Sequence, residues 1–526
     1  MAKRLNQVRI GAVMSYINMA VGTLIPMFYT PLMLGLLGQD EYGLFKLSSS
    51  VTSYLTLISF GLGSAVTRYY TKFRAEDDRD GEESVFGLFS IIYMIIASIT
   101  VIVGVIIAAN IGAIYGNSIN GVSSTTGIDR ILEMQILVIV LTLTTALNFL
   151  STPHTSIVSA HEKFIFLQLI NIVSTVITPI VNIVVMMMGF GSIGIVVSSF
   201  GITLVVRVMY LLYVKFSIRI KPNYKNISKT KSLLKEILSF SIWIFIMTII
   251  DQLYNSTDTL IIGYIPELAT VGVAVYSIGI TFNSMIRSFS TGLNSVLTPK
   301  TNMMVFRHAS NEELTDLLIR IGRLQCYIVS LITTGFIAFG QQFIHLWVGF
   351  DYNEAYWVAI ITTIPVCIPL VQNVALNIII AQNRLKFRTA VFATIAVINV
   401  IGTALCVKEY GIIGAALMTG IAFLVGQGFV MNWYYWKKVG LGIPRFWKNV
   451  GPIFIIPIIL CTITIVVTNY FVLDTWMKLL LGILIYTGIF CVVNWLLVMN
   501  KYEKEIFQNP IRRIIEKIRL KRCRNK

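Results

Sequence analysis

The chain has 526 residues, of which 56% are hydrophobic and 13% charged, with a net charge of +17 and a mean hydropathy of +0.77. A soluble protein carries about 25% charged residues, so a water-soluble globular fold is excluded. The positive balance would suit nucleic acid, but the lysines and arginines sit in short breaks between apolar stretches, where topology selection puts them, and nucleic-acid binding is excluded as well.

A hydrocarbon core of ~30 Å takes about 20 apolar residues to cross as a helix, and a helix satisfies its own backbone in lipid. The sequence predicts an all-α polytopic membrane protein with about fourteen spans, over 9–36, 43–66, 85–109, 131–153, 164–188, 191–214, 237–262, 271–297, 318–346, 356–380, 389–407, 411–436, 450–470 and 476–499. The first begins after Met1-Ala2-Lys3-Arg4 and contains Pro26 and Pro31. It is too long for a signal-peptide core and has no clean cleavage site, which predicts a retained helix. Breaks after even-numbered spans are basic: Arg68, Lys72, Arg74 and Arg79; Lys215 to Lys235; Lys300, Arg307 and Arg320; Arg384, Lys386 and Arg388; Lys437, Lys438, Arg445 and Lys448. The odd breaks, including Gln39-Asp40-Glu41, Asn110 to Asp129 and Asp351 to Glu354, are nearly free of positive charge; Lys408, beside Glu409, is the exception. This bias predicts a multi-pass inner-membrane protein with both termini cytoplasmic.

Short segments recur along the chain. Ala160-His161-Glu162-Lys163-Phe164 opens the fifth span, and Ala381-Gln382-Asn383-Arg384 precedes the eleventh. Gly191-Ser192-Ile193-Gly194-Ile195 resembles Gly411-Ile412-Ile413-Gly414-Ala415, and Glu41-Tyr42-Gly43-Leu44-Phe45 stands as Thr270-Val271-Gly272-Val273-Ala274 does. Coincidence among small apolar residues is one reading. The other is a tandem repeat: a six-helix bundle over 1–214, a basic linker over 215–236, a second six-helix bundle over 237–436, a helix pair over 437–499 and a basic amphipathic tail over 500–526. An even number of spans per repeat gives both bundles one orientation, with an axis along the membrane normal and a site expected between them. In the tail, Phe507, Ile511, Ile514, Ile515 and Ile518 recur at helical spacing among Arg512, Arg513, Lys517 and Arg519. That pattern suits either an anionic membrane surface or a simple topology anchor. The cysteines, Cys326, Cys367, Cys406, Cys461, Cys491 and Cys523, form no CxxC pair and read as apolar filler. No metal, nucleophile or ATP-binding motif is present, so no cofactor, no metal and no enzymatic activity are expected. Any step that needs energy would draw on an ion gradient, the membrane potential or consumption of a product.

Ionisable residues inside spans are costly and mark sites. Arg287 lies mid-span in the eighth helix and Asp251 mid-span in the seventh, followed by Gln252, Asn255 and Asp258. Asp251, Asn255 and Asp258 share a helical face. Asp251 and Arg287 are either a structural ion pair or two walls of one cavity, with Asp251 and Asp258 as candidate ion-coupling groups. Arg207 and Lys46 lie nearer span ends, and each either lines the cavity or snorkels. Arg68, Arg320 and Arg323 mark basic helix ends and serve topology or form an access rim for an anion. Tyr16, Asn18, Asn148, Gln372, Asn373 and Asn377 are interhelical glue or partners for sugar hydroxyls. Pro26, Pro31, Pro179, Pro365 and Pro369 are candidate bending points.

Pro31-Leu32-Met33-Leu34-Gly35-Leu36-Leu37-Gly38-Gln39-Asp40-Glu41-Tyr42-Gly43-Leu44-Phe45 resembles the signature after the first helix of Wzx-type polysaccharide flippases. Gly61-Leu62-Gly63-Ser64-Ala65-Val66-Thr67-Arg68-Tyr69-Tyr70 and Asp258-Thr259-Leu260-Ile261-Ile262-Gly263 are similar to further patterns of that family. The resemblance runs from about residue 8 to 500 and places the chain in the multidrug/oligosaccharidyl-lipid/polysaccharide (MOP) exporter superfamily. It implies a V-shaped pair of bundles, alternating access, and transfer of an undecaprenyl-pyrophosphate-linked oligosaccharide between leaflets. It also implies basic cavity residues for the pyrophosphate, matched to Arg287 and, after it, Arg207 and Lys46, and coupling to protons or sodium. Membrane lipids, the lipid-linked oligosaccharide and a polysaccharide polymerase or glycosyltransferases are the implied partners. An arginine fork suits phosphate oxygens and stays charged throughout. The rival readings are a MATE-type cation antiporter, whose cavity would be acidic, and a MurJ-type lipid II flippase.

Overall fold

The computed structural model describes residues 2–119, 129–224, 227–382, 384–471, 473–505 and 508. Among the described residues the chain is helical throughout, with no strand. Eleven helices among the described residues are long and apolar enough to cross a membrane. Adding the interrupted helix over 39–75 and the helix over 227–264, and counting the helix over 385–423 twice for its internal turn, accounts for all fourteen predicted spans. The protein is thus a multi-pass membrane protein. Its outward side chains are apolar, as lipid requires: Ile102, Ile106 and Leu484 are all more than half exposed.

α1 (Ala2–Leu37) runs through Pro26 and Pro31 without a break. The second predicted span is not one helix. It is α2 (Gln39–Ser53), a tight turn over Tyr54–Ser59, left-handed Phe60 and Gly61, then α3 (Leu62–Ala75). A β-carbon on Gly61 would come 2.7 Å from Ile244 Cγ2, so glycine serves both the backbone twist and the close approach. α4 (Arg79–Ile119) extends well past the predicted 85–109, into what reads as a loop. α5 (Arg130–Ala160), α6 (Phe164–Met187) and α7 (Gly191–Tyr213) follow their predictions. The predicted linker over 215–236 is partly helical, because α8 (Ile227–Tyr264) starts inside it.

Next come α9 (Ala269–Phe306), α10 (Asn311–Val348, opened by a Ser310–Glu313 capping box), α11 (Asn353–Val371) and α12 (Asn373–Ala381). α13 (Leu385–Phe423) turns at Gly411, where φ is +56°. α14 (Met431–Tyr434), α15 (Ile443–Val450), α16 (Ile455–Tyr470) and α17 (Trp476–Val493) complete the order. The predicted amphipathic tail lies outside the described residues beyond Glu505, apart from residue 508.

Contacts divide the chain into two compact units: residues 1–281, 357–359 and 386–422 form one, and 282–356, 360–385 and 423–526 the other. These boundaries cut across the tandem division read from the sequence. The first unit holds the recurring segments over 41–45, 191–195, 270–274 and 411–415, whereas 381–384 falls in the second. Gly191 and Gly411 both adopt positive φ, +54° and +56°. Three residues on, Gly194 and Gly414 are both in tight contact, with Phe190 Cβ and Cys406 O respectively less than 3 Å from where a β-carbon would sit. Gly43 packs directly on the Thr270 carbonyl, and the Thr270 hydroxyl donates to Asp40 Oδ1 at 2.9 Å. The repeated segments therefore meet one another at this contact.

The same contact explains the Gln39-Asp40-Glu41-Tyr42-Gly43 sequence physically. Asp40 and Gly43 take Thr270, Tyr42 is buried at 1% exposure, and Glu41 Oε1 accepts the Ser192 amide (2.5 Å) in the first turn of α7. A carboxylate is favoured there by the exposed amides and the helix dipole. Glu133, paired with Arg130 at 2.9 Å, accepts the Ser192 hydroxyl.

Candidate functional site

Asp258, on α8, is 3% exposed. Its Oδ2 accepts from the Tyr276 hydroxyl of α9 at 2.5 Å and the Thr419 hydroxyl of α13 at 2.6 Å; its Oδ1 accepts from Thr403, also on α13, at 3.1 Å. Asn399 Nδ2 donates to the Thr419 oxygen at 3.1 Å, leaving that hydroxyl proton for the carboxylate. A buried carboxylate needs partners of this kind. These bring together four helical segments, since Thr403 and Thr419 lie on opposite sides of the Gly411 turn. Carboxylate, hydroxyl and amide oxygens are also the donor set hard cations take. Among the described residues no group of three or more His, Cys, Asp and Glu side chains forms a metal cluster.

The first half carries a related polar cluster in which the carboxylate is replaced. Tyr29 stands as far before Gly43 as Asp258 does before Gly272; Asn182 follows Lys163 at the spacing by which Thr403 follows Arg384; Ser199 follows Gly191 as Thr419 follows Gly411. In space these residues form a cluster too. Asn182 Nδ2 donates to the Tyr29 hydroxyl at 3.2 Å and to Ser199 at 3.4 Å, and its Oδ1 accepts from Ser198 at 2.6 Å. A phenol occupies the position of the carboxylate, so the ionisable version exists in one half. The sequence reading singled out Asp258 but missed Tyr276, Asn399, Thr403 and Thr419. The repeat spacing pairs Thr403 and Thr419 with Asn182 and Ser199, but it is tertiary structure that brings them to Asp258.

Asp251 and Asn255 share a face with Asp258 by spacing, yet both are exposed where Asp258 is buried. Asn255 donates to the Asp251 carbonyl at 2.7 Å. On the neighbouring face of α8, Gln252 bonds Ser53 and Ser256, and Tyr54 meets Thr257 at 2.5 Å, forming a polar seam with the α2 end. Arg287 is half-buried: its Nε donates to Asn283 Oδ1 at 2.7 Å, and its guanidinium lies 4.8 Å from the Phe423 ring centroid. Asn283 is fixed in turn by its bond to the Thr362 carbonyl at 2.9 Å. The Arg287 guanidinium is thereby held between an amide and an aromatic face.

Lys46 is half-buried, 5.3 Å from the Tyr42 ring centroid. Arg207 ties α7 to α5, donating to Ser151 Oγ (3.1 Å) and the Leu147 carbonyl (3.3 Å). Arg68 is exposed beside Tyr69. Arg320 is exposed and 4.5 Å from the Tyr502 ring. Arg323 is committed to the protein's own groups: Nε and Nη2 donate to Glu503 at 2.5 and 3.1 Å, Nη2 to the Val498 carbonyl, Nη1 to the Asn449 carbonyl. It holds the C-terminal segment and offers no open fork to an anion, and no local pattern announced Glu503 as its partner. Asn18 with Gln168, and Gln372 with Asn432, are interhelical bonds within the fold.

A family model described as polysaccharide biosynthesis protein matches residues 32–357, more than half of the chain. The chain belongs to that family. The family match spans the Asp40-Glu41-Tyr42-Gly43 segment, Asp258, Tyr276 and Arg287. Among solved structures, the lipid II flippase MurJ in an inward closed conformation aligns with a TM-score of 0.71 at 16% identity, over 93% of this chain and 100% of its own. An inward-facing multidrug resistance MATE transporter of the MOP superfamily aligns with a TM-score of 0.58 at 15% identity, over 82% and 99%. A MOP superfamily transporter from Pyrococcus furiosus, described as having a binding pocket of reverse polarity, aligns at 0.54 and 15%, over 81% and 96%. At such identities the likeness establishes the fold, which is that of the MOP transporters. No curated protein matches the chain in sequence.

Proposed function

We propose that this member of the family is a flippase. In this reading it moves an undecaprenyl-pyrophosphate-linked oligosaccharide from the cytoplasmic to the outer leaflet of the bacterial inner membrane by alternating access, for surface polysaccharide biosynthesis, and is not an enzyme. Both termini are cytoplasmic in this reading, and a polymerase or glycosyltransferases act beside it. The observation that carries it is the match to the polysaccharide biosynthesis family on a fold of MOP type.

The side chains supply the chemistry. Arg287, held by Asn283 over Phe423, takes the pyrophosphate, with Lys46 and Arg207 as subsidiary cations. Arg68 and Arg320, both exposed, meet the anionic headgroup first. Asp258 binds the coupling proton or cation among its three hydroxyl partners, and Asp251 is a further acidic group on that helix. The phenol of Tyr29 at the equivalent position makes the first-half cluster silent toward the ion. Basic groups at Arg287, Arg207 and Lys46 disfavour an organic-cation antiporter. The likeness to a lipid II flippase supports lipid II as the second reading.

The test is depletion in the native cell followed by analysis of lipid-linked glycans on the cytoplasmic face. Accumulation of a polyprenyl-pyrophosphate oligosaccharide with loss of surface polysaccharide is expected. Accumulation of lipid II supports the second reading, and no accumulation of either overturns both.

A further inference from the structure

Gln325, on α10, lies outside every site described above. It is 2% exposed, and among the described residues neither its Nε2 nor its Oε1 has a hydrogen-bond partner. Among the described residues it is the one side chain with two such buried atoms. An amide left unmet in an apolar interior carries its full desolvation penalty. Departures of this kind concentrate where a protein moves or binds.

The neighbouring backbone is broken as well. One turn before Gln325, Gly322 brings α10 against the junction of α11 and α12: a β-carbon there would lie 3.0 Å from the Val371 carbonyl oxygen and 2.5 Å from the Phe446 ring. α11 has lost two amide donors to Pro365 and Pro369 and ends at Val371. Gln372 leaves helical geometry at φ −103°, ψ 13°, and the Ala375 amide donates to the Gln372 carbonyl, three residues back, at 2.8 Å. Asn373 Nδ2, in the first turn of α12, also has no partner. The equivalent helix of the first half, α5, runs unbroken. On the other side, Gln372 donates to Asn432 Oδ1 at 2.7 Å, which also accepts Trp447 Nε1 at 2.8 Å.

We propose that the α11–α12 junction is a hinge with two stations. In the state described here Gln372 is docked on Asn432, which Trp447 also holds, and the Gln325 amide waits without a partner among the described residues. In the opposite state of the cycle α12 turns about Gln372, and Gln325 takes up the main-chain groups that the break exposes. Gln325 is thus a positioning residue for the conformational exchange, and this inference rests on the alternating-access reading.

The experiment pairs thermal unfolding of purified full-length Gln325→Met in lipid nanodiscs with glycan export in cells. Removing the orphan amide is expected to raise Tm by a few degrees, because this state no longer buries it. Loss of the second station is expected to lower export about five-fold or more, as hinge changes do. Opposite signs in the two readouts separate a hinge from a packing role, which moves both together. Pro369→Ala, which restores a donor at the junction, is expected to lower export as well. Normal export by Gln325→Met, or a lower Tm, overturns the proposal. If the wild-type chain itself does not support export, the transport reading fails, and the sign of the Tm change still judges the orphan amide.

Discussion

Replacing Glu503 with alanine removes the carboxylate on which the C-terminal end of the fold is fastened. The side chain is 2% exposed and its partner Arg323 14%. It accepts from Arg323 Nε and Nη2, from the Tyr327 hydroxyl at 3.1 Å and from the Asn500 amide at 3.0 Å, while Asn500 Oδ1 accepts the Glu503 amide at 2.9 Å. Breaking a buried ion pair from one side costs about 3–5 kcal/mol, because the remaining charge is stranded. Loss of the reciprocal cap adds about 1 kcal/mol. Glu503→Ala is therefore expected to destabilise the protein by about 4–6 kcal/mol, read as a large drop in midpoint in denaturant titration of the purified protein. Removing both charges with apolar residues of similar size is often nearly neutral. The pair Arg323→Met with Glu503→Met should thus recover most of the loss. A single Glu503→Ala within ~1 kcal/mol of wild type, the range of an exposed pair, would refute the burial argument. So would a double variant as unstable as the two single changes together.

Arg287→Ala is expected to abolish glycan export with membrane insertion intact, and Arg287→Lys, which keeps charge but loses the fork, to retain part of it; normal surface polysaccharide in the alanine variant removes Arg287 from the mechanism. Asp258→Asn should insert and fold but lose its response to an imposed ion gradient, measured by export at varied pH and sodium; a full response would show that the ion binds elsewhere. His161, in the α5–α6 turn, is held down to a pKa of about 4 by burial and by the nearby Arg74 and Lys163 charges. The unfolded chain takes up that proton near pH 6.5 and the folded one only near pH 4. Stability should therefore be full above about pH 6.5 and fall as pH drops toward 4, and His161→Gln should flatten this slope in Tm measured against pH. Gly43→Ala would set a β-carbon 1.9 Å from the Thr270 carbonyl oxygen. A backbone atom cannot yield there, so the cost is expected to reach or exceed the upper end of the ~1–3 kcal/mol of ordinary overpacking, seen as a collapse in folded yield.

Span positions were legible because hydropathy is a local property, and each predicted span is matched by one helix or by helices that meet at a break. What local pattern could not carry were the interruptions inside spans. The left-handed pair at Phe60–Gly61 is set by the approach of α8; Pro365 and Pro369 announced a bend before Gln372, but not its bond to Asn432. The extension of α4 to Ile119 was hidden because its polar end reads as loop. Asp258 announced itself as a charge in an apolar stretch. Its hydroxyl partners did not, since threonine and tyrosine are common in membrane helices and only tertiary structure singles out Thr403, Thr419 and Tyr276. Arg323 looked like a free cation at a helix end because its partner lies 180 residues away.

That same distance problem acts during synthesis. The hydroxyls of Thr403 and Thr419 follow Asp258 by 145 and 161 residues. At about 5–20 residues per second of translation, the carboxylate waits roughly 10–30 s before α13 emerges. Over that interval α8 must stay at the insertion machinery, reach water, or carry a proton. Substitutions at Thr403 or Thr419 should therefore reveal themselves first as chains cleared by membrane quality control, before any transport step is tested.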